Sequence, residues 1–395
     1  MPKLYLHCPA LNTRLRTDPP VLHVRLPNGE IARQTCPPTE ANPGWFRADL
    51  APYPPGDLTF RIALPDHRTD PAEGWYHTRR PHPGQALWLQ GGQLFTYAPP
   101  PVVSPPQIFK IAEFHGRLPT RPLYIYLPRG YAENVTRRYP VLYLHDGQNC
   151  FDAYLADSYA NATWQVDTTA TRLIAAARLP ELIIVAVGHG GVRRIPEYLP
   201  PTVRRRTTQA TRDFLQLNER TLTGRADLTA HFYREDVLPF INANYRTLAY
   251  REHTAFAGSS MGGVFTLYLA FAHPALAQNY AALSPAVWLT AARRTARSHL
   301  HKIATHRPDI RLWLDSGTRR TPTDGDDDAP NTAALHHHYQ TLGFTPGPDY
   351  HYLRAEGADH NERAWAARLP AILEFLFPIF RHISSSPRTK AECSL

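Results

Sequence analysis

Short runs of alternating apolar and polar residues, separated by turns that contain Gly or Pro, occupy the first 98 residues of the chain. These runs lie at residues 4–7, 21–26, 58–63 and 86–90. Regular spacing of short strands with such turns is typical of two antiparallel sheets packed face to face. The pattern therefore predicts a small all-β sandwich over residues 1–98.

A different pattern follows the proline-rich segment at residues 99–106, which we interpret as a stiff linker. Three strand-like runs come in quick succession, and later strand-like runs alternate with helix-like runs such as residues 168–177. This alternation predicts a mainly parallel, doubly wound sheet of eight strands, with an antiparallel edge formed by the first runs. We assign the α/β domain to residues 107–383 and a polar, flexible tail to residues 384–395.

Within residues 254–263, a β-rich run ends in a G-x-S-x-G motif and passes directly into an apolar, helix-like run. This is the strand, turn and helix of a nucleophile elbow, with Ser260 at the tip of the turn. The positions two before and two after the serine are crowded, which explains Gly258 and Gly262. The motif predicts a nucleophilic serine, and the alternative is a structural turn that contains a serine without a catalytic role.

The partners of such a serine follow it in the order acid, then histidine, each after a later strand. Strand-like runs occur at residues 309–317 and 349–355, and His360 lies on the loop after the second of them. This position favours His360 as the general base among 20 histidines. The histidines at residues 336–338 lie in a helix-like stretch without a Cys or carboxylate at ligand spacing, so we predict a solvated helix face there and no metal site.

Four sequence blocks follow one another along the second domain. They are LYLHDGQNCFD at residues 142–152, IIVAVG at 183–188, GSSMGG at 258–263 and GADHNE at 357–362. In this order, the blocks resemble the esterase D and enterochelin esterase family of α/β-hydrolases. The similarity extends from about residue 108 to residue 380, and it implies an α/β-hydrolase fold.

The resemblance also implies roles for individual residues. Ser260 would be the nucleophile and His360 the general base. The backbone N–H of Met261, which follows the nucleophile, and that of Gln148, in the turn after an earlier strand, would form the oxyanion hole.

The carboxylate is where this sequence departs from the family pattern. In the family it stands three residues after a glycine at the strand end, but Arg320 holds that position here. A carboxylate is needed because it fixes the imidazole tautomer and stabilises the imidazolium. We favour Asp324 and Asp326 over Asp315 at the strand end, and a Ser–His dyad stays open. The aspartates available in the loop are Asp324, Asp326, Asp327 and Asp328.

Polar residues near the predicted site are candidates for substrate binding. His145 and Asp146 precede the oxyanion turn, where they either line the pocket or cap the strand end, and we favour the pocket edge. A long polar insertion after Gly188 contains Arg193 and Arg194. These arginines either bind an anionic substrate through their planar guanidinium groups or belong to a generally basic surface, since the formal net charge is +9.

Composition limits the function classes. With 395 residues, of which 43% are hydrophobic, the chain can bury a sizeable core. The first residues lack the apolar core of a signal peptide, and no apolar stretch is long enough to span a bilayer, so we expect a cytoplasmic protein without a membrane partner. No nucleic-acid-binding motif accompanies the arginines, and we expect neither a nucleic-acid partner nor a cofactor.

The N-terminal module resembles the immunoglobulin-like or carbohydrate-binding-like sandwiches that precede some esterases. Its aromatic residues Trp45, Trp75, Tyr76 and Trp88 either form a sugar-stacking platform or fill the core, and the core is favoured. We predict a serine esterase that forms an acyl-enzyme from a small-molecule ester, such as a siderophore trilactone, an acylated sugar or a thioester. The alternatives are an acyltransferase that uses the same residues and a non-catalytic glycan-binding protein on a hydrolase scaffold.

Overall fold

The structure is a computed structural model of the 395-residue chain. It describes all residues except 8–18, 40–44, 64–68, 71–74, 84, 91–92, 96–103, 210–211, 214–219, 291–297, 322–324 and 380–395. The chain divides into two compact units, Met1–Pro105 with Gly130–Thr136, and Pro106–Arg129 with Arg137–Leu395. The predicted tail and most of the predicted linker lie outside the described residues.

The described part of the N-terminal unit contains two sheets. Their strands are β1 (Lys3–His7), β2 (Val21–Arg25), β3 (Ile31–Thr35), β4 (Trp45–Asp49), β5 (Asp57–Ala63), β6 (Thr69–Asp70), β7 (Tyr76–Arg79), β8 (Ala86–Gln90) and β9 (Gln93–Phe95). The first sheet has the order β4-β1-β8-β9, and the second has the order β3-β2-β5-β6 with β7 paired to β5. All described pairs in this unit are antiparallel except β1 with β8.

The alternation of side chains along the strands explains why the two sheets pack together. Leu22 and Val24 of β2 are buried, whereas their neighbours in the strand are partly or fully exposed. They share one buried cluster with Leu4 and Leu6 of β1 and with Phe60 of β5. A period of two places every second side chain between the sheets, and the predicted β-sandwich is confirmed.

The four aromatic residues considered for a glycan platform do not lie on one sheet, so they do not form one surface. Trp45 and Trp88, whose ring centroids are 5.3 Å apart, belong to the first sheet. Tyr76 belongs to the second sheet and packs against the sandwich core. Trp75 precedes Tyr76 and is half-buried.

The second unit is built on a larger sheet. Its strands are β10 (Gln107–Phe114), β11 (Arg121–Leu127), β12 (Val141–His145), β13 (Ile183–Val187), β14 (Arg204–Arg206), β15 (Thr221–Thr223), β16 (Thr254–Ser259), β17 (Asn279–Leu283), β18 (Arg311–Gly317), β19 (Arg320–Thr321), β20 (Gly325–Asp326) and β21 (Tyr350–Ala355). Eight of them form one sheet with the order β10-β11-β13-β12-β16-β17-β18-β21. The pairs from β13 to β21 are parallel, and β10 and β11 form an antiparallel edge. The predicted mainly parallel eight-stranded sheet is confirmed.

Helices connect these strands. The α-helices are α1 (Val166–Ala175), α2 (Arg194–Tyr198), α3 (Ala226–Phe232), α4 (Leu238–Asn244), α5 (Met261–Ala272), α6 (His299–Ile303), α7 (Ala329–Thr341) and α8 (Glu362–Leu376). A π-helical turn, Tyr233–Val237, joins α3 to α4. Short 3-10 helices occur at Gly147–Asn149, Asp152–Asp157, Gly191–Arg193, Arg251–His253 and Val287–Thr290. In the described parts of the chain, no helix combines the length and the apolar character needed to cross a membrane.

Packing on both faces explains why the central strands are buried along their whole length and are mainly apolar. Every residue of β12, β13, β16 and β17 is buried, as expected for parallel strands between two layers of helices. Helices α1 and α8 share a buried cluster with the sheet, and α5 packs on β16 and β17. The loops after β12, β16, β18 and β21 therefore meet at the carboxyl edge of the sheet.

Candidate active site

Ser260 occupies a strained turn between β16 and α5. Its backbone angles are φ 55° and ψ −118°, a combination that few non-glycine residues adopt. The Ser260 N–H donates to Leu283 O at 3.0 Å, and the Ala286 N–H donates to Ser260 O at 3.0 Å. These two bonds fix the turn against the end of β17. The strand, turn and helix that the sequence motif predicts are present as β16, Ser260 and α5.

Close packing requires the glycines of the motif. A Cβ on Gly258 would lie 2.7 Å from the carbonyl atoms of Gly262 and 2.7 Å from His145 Cδ2. A Cβ on Gly262 would lie 3.2 Å from His145 Cβ. The strand and the first turn of α5 thus approach each other, and both approach His145, more closely than larger residues would allow.

His360 lies beside Ser260. Its Nε2 is 2.9 Å from Ser260 Oγ, and its ring packs edge-on against Trp365 with centroids 5.1 Å apart. The histidine precedes α8, where Asn361 accepts a capping hydrogen bond from the Ala364 N–H. Ser260 and His360, which the order of residues after the G-x-S-x-G motif predicts as partners, therefore lie within hydrogen-bond distance of each other.

The carboxylate beside His360 belongs to Asp327, which corrects the preference for Asp324 and Asp326. Asp327 Oδ1 lies 2.5 Å from His360 Nδ1, and the Asp327 side chain is fully buried. Asp324 lies outside the described residues, and Asp326 is in β20, where its backbone pairs with Arg320. After β18, the chain forms the antiparallel pair of β19 and β20 before it reaches Asp327. The acid therefore follows this pair and lies neither at the end of β18 nor within β20.

The second carboxylate oxygen of Asp327 has two donors. Ser284 Oγ donates to Oδ2 at 2.7 Å, and the Gly317 N–H donates to the same oxygen. A Cβ on Gly317 would lie 2.6 Å from that oxygen, so glycine at this position allows the carboxylate to approach. The two bonds fix the orientation of the Asp327 carboxylate relative to the imidazole.

Asp315 pairs with Arg368 instead of with a histidine, which corrects its place among the candidate acids. Arg368 Nε and Nη2 lie 3.2 and 3.1 Å from its oxygens, and Trp313 Nε1 donates at 2.8 Å. Burial raises the pKa of Asp315, and Arg368 acts in the opposite direction. Ser284 connects the two acids, because its N–H donates to Asp315 Oδ1 at 3.1 Å and its Oγ accepts from Arg368 Nη2 at 3.0 Å.

The turn after β12 approaches the elbow from the neighbouring strand. Asp146 has a left-handed φ of 56° and precedes the 3-10 helix Gly147–Asn149. The Asn149 N–H donates back to Asp146 O at 2.9 Å. Because the first N–H groups of a helix have no acceptor within the helix, the amides of Gln148 and Met261 are candidate donors to an oxyanion.

His145 lies behind the elbow, which corrects its assignment to the pocket edge. It is 1% exposed, and its Nδ1 lies 2.8 Å from Tyr233 Oη. Burial lowers the pKa of His145 to about 3, so the ring is neutral at neutral pH. The sequence does not show this burial, because Tyr233 comes from the π-helical turn 88 residues further along the chain.

Asp146 and Arg194 form an ion pair with each other. Arg194 Nε and Nη2 donate to Asp146 Oδ1 and Oδ2 at 2.8 and 2.7 Å. Burial opposes ionisation of Asp146, but Arg194 holds the pKa of Asp146 below its ordinary value. Arg193 is exposed at the end of its 3-10 helix. Of the two arginines expected to bind an anion, Arg194 has its charge balanced by Asp146, and Arg193 presents its guanidinium to solvent.

Glu362 is a further candidate that the sequence does not single out. It is 5% exposed at the start of α8, and Asn149 Nδ2 donates to its Oε1 at 3.1 Å. Burial raises the pKa of Glu362; Asp146 adds to this effect, and His360 opposes it. The contact joins the turn after β12 to the loop that carries His360. Its only sequence signal is its position two residues after that histidine.

The histidines at 336–338 have separate partners. His336 Nδ1 lies 2.8 Å from Tyr350 Oη, and His338 Nε2 lies 2.8 Å from Ala304 O. His337 is exposed, whereas the other two are half-buried, so only part of the predicted solvated face is present. Within the described ranges, no group of His, Cys, Asp or Glu side chains has the arrangement of a metal site.

The protein-family model that matches is described as "Esterase: Putative esterase", and it covers residues 119–376. A search of curated proteins finds no match. Among solved structures, a ferulic acid esterase has 19% identity and a TM-score of 0.51, with 70% of this chain and 98% of that chain covered. An IroE-like serine hydrolase from Shewanella oneidensis has 18% identity and a TM-score of 0.51, with 68% of this chain and 80% of that chain covered.

At these identities the two solved structures show a shared fold. The family match covers more than half of the chain, and it contains Ser260, Asp327 and His360. It confirms the resemblance that the four sequence blocks indicate. The chain therefore belongs to the esterase family of α/β-hydrolases and is a carboxylic ester hydrolase.

Proposed function

We propose that this protein is a serine esterase that forms an acyl-enzyme at Ser260. The observation that carries the proposal is the series of hydrogen bonds from Ser260 Oγ to His360 Nε2, at 2.9 Å, and from His360 Nδ1 to Asp327 Oδ1, at 2.5 Å. A hydroxyl, a base within hydrogen-bond reach and a carboxylate that orients the base form the arrangement of serine hydrolases. The strained turn under Ser260 supports the same role.

In the proposed reaction, Ser260 Oγ attacks the carbonyl carbon of the ester while His360 Nε2 takes the hydroxyl proton. The oxyanion of the tetrahedral intermediate accepts hydrogen bonds from the Met261 and Gln148 amides. When the intermediate collapses, the bond to the leaving alcohol breaks and His360 returns the proton to that alcohol. Water then attacks the acyl-enzyme by the same steps, which releases the carboxylic acid and restores Ser260.

Asp327 has a positioning and electrostatic role in this mechanism. Its bond to Nδ1 selects the tautomer whose Nε2 accepts the serine proton, and its charge stabilises the imidazolium that forms. Ser284 and the Gly317 amide hold the carboxylate from the other side. We therefore assign the triad acid to Asp327, and the dyad alternative loses its support.

For the substrate, we propose a small-molecule ester. The classes suggested by the family resemblance are a siderophore trilactone, an acylated sugar and a thioester, and the name of one structural neighbour adds feruloyl esters. Exposed Arg193 near the start of α2 supports an anionic substrate. Hydrolysis rates for one compound of each class, measured side by side, would rank these proposals.

The proposal is tested by comparing hydrolysis of p-nitrophenyl acetate and butyrate by the wild type, Ser260→Ala and Ser259→Ala. Ser259 is the preceding, buried serine and serves as the matched control. We expect Ser260→Ala to lose at least about 10⁴-fold in kcat and Ser259→Ala to stay close to the wild type. Turnover that survives in Ser260→Ala would contradict the proposal, and product analysis with an added alcohol would separate hydrolysis from acyl transfer.

A further inference from the structure

The outer face of the second sheet in the N-terminal unit carries a row of basic side chains. In β2, Leu22 and Val24 face the core, so His23 between them faces outward. His23 pairs in register with Arg33 of β3 on one side and with Arg61 of β5 on the other. Side chains directly opposite in an antiparallel pair have Cβ atoms about 5 Å apart, so the three basic residues form one continuous row.

A tryptophan holds two guanidinium groups at this row. The guanidinium carbons of Arg25 and Arg61 lie 4.5 and 4.7 Å from the centroid of the Trp75 ring. Contacts of this kind are attractive and restrict the orientation of both side chains. We call Arg25, His23, Arg33 and Arg61, together with Trp75, the cationic face.

The cationic face has no negative partner within the described part of the chain, where no carboxylate forms an ion pair with Arg25, Arg33 or Arg61. Arg61 Nε and His23 Nδ1 are buried atoms without a hydrogen-bond partner in that part. Partial burial, Arg33 and Arg61 all lower the pKa of His23. Because a lowered pKa keeps His23 mainly neutral at neutral pH, the row carries the guanidinium charges of Arg33 and Arg61 on either side of it, and both attract an anion.

We propose that the cationic face binds an acidic polysaccharide through its carboxylate groups. Arg33 and Arg61 lie on the two strands that flank β2, so their positive charges are about 10 Å apart, and this spacing suits an extended polymer with repeated carboxylates. The planar guanidinium group pairs with a carboxylate through two hydrogen bonds. Single-stranded nucleic acid instead needs aromatic rings on which bases can stack, and the Trp75 ring already contacts two guanidinium groups. The proposal goes beyond the esterase activity and does not depend on it.

The test is calorimetric titration of the full-length protein with polygalacturonate at low ionic strength. Arg25→Gln/Arg33→Gln removes two exposed charges from the cationic face. Lys3→Gln/Arg47→Gln removes two charges from the first sheet of the same unit and is the matched control. We expect saturable binding by the wild type, a dissociation constant at least about tenfold higher for the first variant, and a change of less than about twofold for the control.

A second readout is the NMR titration of His23. Bound carboxylates should raise the pKa of His23 in the wild type and in the control, but not in Arg25→Gln/Arg33→Gln. Absence of saturable binding, or equal losses in both variants, would overturn the proposal. Displacement of the polysaccharide by single-stranded DNA at equal charge concentration would also overturn it, in favour of a nucleic-acid site. Both variants should hydrolyse p-nitrophenyl esters at the wild-type rate, so a failure here is distinguishable from a failure of the esterase proposal.

Discussion

Replacing Ser284 by alanine tests whether the bonds behind Asp327 contribute to turnover. Ser284 is fully buried, and its hydroxyl donates to Asp327 Oδ2 at 2.7 Å. Ser284 Oγ also accepts hydrogen bonds from Trp365 Nε1 at 3.1 Å and from Arg368 Nη2 at 3.0 Å. The substitution therefore removes a hydrogen-bond donor to Asp327, and it removes an acceptor for the buried N–H groups of Trp365 and Arg368.

The expected magnitudes follow from these contacts. A hydrogen bond to a charged group contributes about 1.5–3 kcal/mol, and a buried donor left without an acceptor costs about 1–3 kcal/mol. Arg368 Nη2 keeps Asp315 Oδ1 at 3.1 Å, so mainly the Trp365 donor loses its acceptor. We expect a loss of about 3–5 kcal/mol in the free energy of unfolding. Asp327 keeps its bonds to His360 and Gly317, so kcat should fall about tenfold, far less than the ~10⁴-fold loss on removing a triad carboxylate.

The assay measures kcat and KM for p-nitrophenyl butyrate, together with urea unfolding. We expect kcat to fall while KM stays constant, because the change affects the triad acid and leaves the substrate contacts in place.

Ser316→Ala is the matched control for this experiment. Ser316 is also fully buried, one residue from Asp315, and its Oγ is without a hydrogen-bond partner among the described residues. Its removal should change the stability by less than about 1 kcal/mol and leave the kinetics unchanged. A folded Ser284→Ala variant with wild-type kcat would refute the reasoning, and equal effects in both variants would assign the loss to core packing.

Three further predictions concern the acid, the elbow and the buried histidine. Asp327→Asn should lower kcat/KM about 10⁴-fold in the p-nitrophenyl assay while Asp326→Asn does not, and similar losses in both would contradict the assignment. Gly258→Ala should cost about 1–3 kcal/mol by overpacking and lower the melting temperature, because its Cβ would lie 2.7 Å from the Gly262 carbonyl; an unchanged melting temperature would show that the turn has room. The pKa of His145 falls from 6.5 to about 3 on folding, so the unfolded chain binds more protons between these two pH values, and stability should fall by about 1.4 kcal/mol for each pH unit by which the pH is lowered in that window. His145→Gln should reduce this slope in urea unfolding, whereas parallel curves would contradict it.

The sequence predicts the parts of the site that depend on local structure. Ser260 is found because a strand, a crowded turn and a helix leave a short, glycine-rich pattern. His360 is found because the order of strands in a doubly wound sheet places the loop after the last strand at the carboxyl edge. Both arguments need only neighbours in the chain and the topology of the sheet.

The acid and the role of His145 depend on distant contacts that no local pattern shows. Several aspartates follow β18, and the one that reaches His360 is decided by the return of the chain through β19 and β20 and by the donors at Ser284 and Gly317. A polar residue at a strand end suggests a pocket, but the π-helical turn brings Tyr233 over His145 and buries it. In the N-terminal sandwich too, the alternation of apolar and polar residues predicts the strands. It does not predict the register, which decides which outward-facing residues lie opposite each other on neighbouring strands.

The most direct test of the serine esterase mechanism is the mass of the intact protein after reaction with a fluorophosphonate, measured for the wild type, Ser260→Ala and Asp327→Asn, with peptide mapping of the adduct. We expect one adduct in the wild type, located at Ser260 and formed in parallel with loss of ester hydrolysis, slow labelling of Asp327→Asn, and no adduct in Ser260→Ala. A folded wild type that hydrolyses esters but takes no label, or an adduct that persists in Ser260→Ala, would contradict the assignment of Ser260 as the nucleophile.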